Sequence, residues 1–130
     1  MDKLLASKNW LAKAKDDLKW TEANIREKIW YGACFTAQQS AEKALKAYLI
    51  SQGKETPKIH DLGALLEYSN KLDTTFKKLK SACAVLTDYY SPARYPDISQ
   101  YMVFSKQNAL EALNLATRIV DFVEKKIQKN

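Results

Sequence analysis

The sequence predicts an all-α protein, an antiparallel up-and-down four-helix bundle with one additional short helix. Only three Gly and three Pro occur in 130 residues, too little turn chemistry for a strand-rich fold. Apolar residues recur at three- and four-residue steps along four long stretches, the signature of helices that bury one face. No linker, repeat or low-complexity tract divides the chain. Residues 1–130 therefore read as one domain, long enough to bury a real core.

The first helix spans about residues 3–25, with Leu4, Leu11, Ala14, Leu18 and Ile25 on one stripe, Trp10 beside it, and Lys13, Asp16, Asp17 and Lys19 largely off it. The second, about residues 29–52, carries the clearest stripe: Tyr31, Cys34, Gln38, Ala41, Leu45 and Tyr48, widened by Phe35 and Leu49. Gly53 follows as a C-terminal cap, because glycine enters the left-handed region without a Cβ clash. Pro57 keeps the chain extended, and a short helix from Asp61 through Tyr68 turns Leu62, Leu65 and Leu66 inward. Asp73 or Thr74 caps the next helix, whose stripe is Phe76, Leu79, Cys83, Leu86 and Tyr90. Pro92 and Pro96 break regular helix across Ser91–Asp97. Ser105 caps the last helix, which presents Ala109, Ala112, Leu113, Ala116, Ile119, Val120, Val123 and Ile127 as a broad apolar face. Its lysine-rich end suits the negative pole of the helix dipole.

No apolar run approaches the ~20 residues a membrane span needs. The N-terminal MDKLLASKNW has no continuous apolar core of the signal-peptide kind. The expectation is a cytoplasmic protein with no membrane association. Cys34 and Cys83 then read as buried free thiols in a reducing compartment, with a disulfide as the alternative. The net charge of +6 permits contact with phosphates without demanding it. Most of that charge is lysine, and Arg occurs only at positions 26, 94 and 118, whereas guanidinium is the group that forks onto phosphate.

Gln38 lies on an apolar stripe with Glu42 one turn later, so both need buried partners or a subunit interface. Glu42 and Lys46 form an i,i+4 pair of favourable polarity, which alone reads as a solvated face beside Lys43. His60 is the only histidine; with no companion Cys or carboxylate cluster it excludes a multi-histidine metal site, and its place before a helix start reads as structural. No Gly-rich phosphate loop is present, and no cofactor is expected. Arg94-Tyr95-Pro96-Asp97 joins an arginine to an aromatic in a proline-stiffened segment, with Tyr89, Tyr90 and Tyr101 close in sequence. Such a segment can grip a phosphate and stack a base, or Arg94 can simply pair with Asp97.

Three stretches together resemble the HEPN family, the higher-eukaryote and prokaryote nucleotide-binding domain. They run from Tyr31 to Ala47, from Pro57 to Leu62 and from Tyr90 to Asp97. The resemblance implies a bundle that forms homodimers, frequent pairing with a minimal nucleotidyltransferase and a place in toxin–antitoxin modules. Many members are metal-independent RNases marked by an Arg and a His with four to six residues between them. Here the eligible positions after Arg94 are Ser99, Gln100 and Tyr101, and no His follows Arg26 or Arg118 at that spacing.

The leading expectation is therefore a non-catalytic nucleotide- or RNA-phosphate-binding protein. Arg94, Tyr95, Lys43 and Lys46 are its ligand candidates, and Gln38, Glu42, His60 and Asp97 organise the groove or interface. A separately encoded nucleotidyltransferase is the expected partner. A divergent RNase, with His60, Tyr95 or Tyr101 replacing the missing histidine, and a pure protein-docking module are the alternatives.

Overall fold

A computed structural model describes residues 2–55, 58–94 and 104–129, with the backbone alone for 90–94. Its helices are α1 (Lys3–Arg26), α2 (Trp30–Ser51), α3 (Leu62–Leu72), α4 (Lys80–Arg94) and α5 (Lys106–Gln128), with a 3-10 segment at Thr74–Leu79 before α4. The all-α bundle expected from the sequence is the observed fold. Tyr95, Asp97 and Tyr101, and the role assigned to Pro57, lie outside the described residues.

Helix α2 is the axis, with α1, α3, α4 and α5 all packed on it. Ala33, Ala37, Ala41, Ala44 and Ala47 are fully buried along it and let neighbouring backbones come close. Across the antiparallel α1–α2 seam, hydroxyls replace bulk. Ser7 Oγ donates to the Ala47 carbonyl at 2.8 Å, Ser40 Oγ to the Ala14 carbonyl at 2.6 Å, and the Thr21 and Thr36 hydroxyls meet at 2.7 Å. Each bond satisfies a buried group that would otherwise cost ~1–3 kcal/mol. At the opposite side Phe76 is fully buried between Tyr48, 4.3 Å between ring centroids, and Phe122, 5.0 Å.

The ends follow local chemistry. Asp61 caps α3 by accepting from the Gly63 and Ala64 amides. Ser105 and Asn108 form a reciprocal capping box at the start of α5. Gly53, at φ +78°, turns the chain out of α2 as expected. Asp73 Oδ1 takes both the amide and the hydroxyl of Thr75, at 2.9 and 2.6 Å, and its other oxygen meets Lys126 Nζ at 2.8 Å. First through Lys126, then through Thr75, its carboxyl is held down at about 2. Cys34 and Cys83 are free and buried, and burial pushes both thiols up to about 12.

Several expectations are corrected. The short helix runs on to Leu72, because nothing breaks it before the Asp73 cap. Helix α4 passes through Pro92 to Arg94; a proline this close to the end of a helix forfeits one amide bond, not a ladder of them. Tyr31 and Leu4 are exposed, and Leu113 is half-buried. At the α4 end of the core Tyr89 is buried, while the side chain of Tyr90 lies outside the described residues. The Tyr89 hydroxyl donates to Glu111 Oε1 at 2.9 Å and accepts from Asn108 Nδ2 at 3.1 Å. Burial, then the Glu111 bond, pushes its phenol up to about 12.

Candidate functional site

Because α2 is surrounded, its polar residues end up inside the molecule. Gln38, Glu42 and Lys46 are all buried, which corrects the expectation of a solvated Glu42–Lys46 face. An i,i+4 ion pair that holds a surface helix by a few tenths of a kcal/mol is here an internal pair. Lys46 Nζ lies 3.0 Å from Glu42 Oε2 and 5.7 Å from the centre of the Trp10 ring. Desolvating both charges costs several kcal/mol per ion before their attraction is counted.

The same carboxylate oxygen reaches out of the core to a histidine. His60 Nδ1 sits 2.9 Å from Glu42 Oε2. The Glu42 side chain is 4% exposed and that of His60 is 64% exposed. A carboxylate paired with an ammonium accepts and does not donate, so a neutral imidazole meets it with its proton on Nδ1. Nε2 is then left bare toward solvent, with no partner among the described residues.

The ring is fixed from its backbone side as well. Gln38 Nε2 donates to the His60 carbonyl at 3.4 Å, and Gln38 Oε1 accepts from Gln39 Nε2 at 2.6 Å. The next residue, Asp61, is locked by its capping bonds. Glu42 Oε1, by contrast, is buried with no hydrogen-bond partner, a further ~1–3 kcal/mol left uncompensated. Such a network adds little to stability over well-packed apolar side chains of the same volume.

The structure thus brings together Gln38, Glu42, Lys46 and His60. Lys43 stands to one side, its ammonium 2.6 Å from Asp17 Oδ2. Both candidate lysines therefore already hold a carboxylate. Arg94 ends α4, its side chain outside the described residues. Lys58, two residues before His60, is exposed and enters no ion pair among the described residues.

Two participants escape sequence reasoning. Asp17 falls off the α1 stripe read from the sequence, yet it is buried and is the partner of Lys43. Trp10 backs Lys46. The signal for Asp17 is its spacing: Ser7, Leu11, Ala14, Asp17 and Thr21, all buried, share one helical face. Among the described residues no group of His, Cys, Asp and Glu could hold a metal ion, and no helix is long and apolar enough to cross a membrane.

A family model for the HEPN domain matches residues 7–126. Two solved structures superpose over nearly their whole length. TT1696 from Thermus thermophilus is 32% identical, with a TM-score of 0.79 over 92% of this chain and 97% of its own. ST0689, described as an archaeal HEPN homologue, is 30% identical, with a TM-score of 0.75 over 93% of this chain and 97% of its own. No curated protein matches the chain.

Proposed function

The chain belongs to the HEPN domain family, and from that membership we propose a non-catalytic member that binds the phosphates of a nucleotide or RNA at the His60 face. The observation that carries this reading is the exposed imidazole held at 2.9 Å on a buried carboxylate. A bare Nε2 only accepts, so it holds a phosphate oxygen once the imidazole is protonated and Nε2–H donates a charge-assisted hydrogen bond. Arg94 supplies the guanidinium fork and Tyr95 a stacking face. Lys58 adds charge from the His60 segment. Lys43 and Lys46, tied to Asp17 and Glu42, act by fixing the scaffold, and Gln38 by holding the His60 backbone. In the same reading the protein works as a homodimer with a separately encoded minimal nucleotidyltransferase, in a toxin–antitoxin-like pair.

One observation favours a second reading, the divergent RNase. A carboxylate on Nδ1 and a bare Nε2 is the arrangement by which an imidazole takes up and returns a proton. His60 would then do the work of the histidine missing after Arg94.

RNA titration by fluorescence anisotropy, with a cleavage assay on the same samples, tests both readings. We expect binding without cleavage, weakened about ten- to a hundredfold in His60→Ala and in Arg94→Ala, since one charge-assisted bond is worth ~1.5–3 kcal/mol. Cleavage lost in His60→Ala would establish the RNase instead. RNA binding indifferent to both substitutions would defeat the His60 face as the site.

A further inference from the structure

The two ring nitrogens of His60 have opposite surroundings. Nδ1 lies 2.9 Å from the buried Glu42 carboxylate, while the ring as a whole stands exposed. A neutral imidazole therefore keeps its proton inward and turns the Nε2 lone pair outward. That is how a nucleophile is presented, with the reacting atom open and the far side of the ring oriented by a further group. The orienting group is itself fixed. Lys46 Nζ stands 3.0 Å from the same Glu42 oxygen, and Gln38 holds the His60 carbonyl. When Nε2 gives its lone pair to an electrophile the ring becomes cationic, and Glu42 stabilises that charge through Nδ1–H. The second Glu42 oxygen is buried with no partner of its own, so no other donor competes for the carboxylate there. Lys58, exposed two residues earlier, adds a positive charge to the segment, which favours an anionic electrophile.

We propose that His60 is a covalent modification site, which accepts a phosphoryl group on Nε2 from a small donor of the acyl phosphate or phosphoramidate class. Nε2 attacks phosphorus and the P–Nε2 bond forms. The bond from phosphorus to the donor's oxygen or nitrogen breaks, and the leaving carboxylate or ammonia keeps that electron pair. Nothing is oxidised or reduced, and the Nδ1 proton stays against Glu42. Attack through Nδ1 would instead require the ring to give up its bond to the buried carboxylate. The product puts a doubly charged phosphoryl group where the bare nitrogen stood. On the phosphate-binding reading above, on which this consequence alone rests, the modification closes the face to RNA: Nε2 no longer takes up a proton, and like charges oppose each other.

The experiment incubates the full chain with phosphoramidate at a pH where imidazole is neutral, with N-acetylhistidine in the same tube, and follows both by 31P NMR and mass spectrometry. Because His60 is the only histidine, every phosphohistidine signal from the protein belongs to it. The protein should be labelled on Nε2 in about tenfold or greater excess over Nδ1, the factor carried by one charge-assisted hydrogen bond. N-acetylhistidine should be labelled on both nitrogens. The double variant Glu42→Leu/Lys46→Met, which removes both buried charges together, should react about tenfold more slowly and lose the preference. No phosphohistidine in a protein whose companion N-acetylhistidine is labelled would overturn the proposal. So would labelling on Nδ1, or a rate and preference unchanged in the double variant. RNA anisotropy on the labelled and unlabelled protein then separates the two readings. Binding lost on labelling supports the closed face, and binding equal in both overturns it. An unlabelled parent that binds no RNA defeats the phosphate-binding reading, while Nε2 labelling still establishes the modification site.

Discussion

Helix α5 buries seven residues of its 23, every one apolar, while the helix it packs against, α2, buries sixteen of 22, six of them polar or charged. The first is a one-faced helix: its polar side is solvated and its stripe does the packing. The second is enclosed by four partners, so residues that would face water on any other helix must find partners inside. Pairing solves the problem for Ser40 and Thr36, whose hydroxyls find partners across the seam on α1. For Glu42 it is left half solved, one oxygen doubly bonded and the other bare. Interior polarity in α2 thus goes beyond what packing needs, and the excess is directed at one exposed imidazole.

Substitutions on the two helices sharpen that contrast. Lys46→Met should be the most damaging, at about 3–5 kcal/mol in urea unfolding, because it strands the buried Glu42 charge. Adding Glu42→Leu to it should restore most of the loss; a single variant as stable as the parent would mean that α2 is not enclosed as described. On α5, Ile119→Ala should cost about 2–5 kcal/mol through the cavity it opens, with no partner change that restores it.

Smaller effects are expected where α5 meets the rest of the molecule through polar contacts. Asp73→Ala removes the cap at the 3-10 segment and the Lys126 contact, at about 1–2 kcal/mol. The parent should show a matching acid limb. Asp73 titrates at about 2 in the fold against an ordinary 3.8, so its contribution is complete above the ordinary value and disappears as pH falls toward about 2. The limb should be absent in Asp73→Ala. Lys15→Ala, which loses the exposed pair with Glu124, should change stability by less than about 1 kcal/mol.

The same contrast explains what is legible in the sequence. The stripe of α5 and its Ser105 cap are written in consecutive residues and can be read directly. So can the turn at Gly53, which needs only a residue free of Cβ. The polar interior of α2 depends on how many helices surround it, which spacing along one helix does not encode. Glu42–Lys46 therefore reads as a surface pair. His60 reads as part of the groove, but its bond to Glu42 spans 18 residues and has no local signal. Gln38, placed on an apolar stripe with Glu42 one turn later, is the clue that this helix carries polarity inward.

The most direct test of the His60–Glu42 arrangement is the 15N chemical shift of the two His60 ring nitrogens, measured by NMR at a pH where the imidazole is neutral, in the parent and in Glu42→Gln. The buried carboxylate should hold the proton on Nδ1 and leave Nε2 bare, and the substitution should relax that preference. A proton on Nε2 in the parent, or a tautomer mixture unchanged by Glu42→Gln, would contradict it.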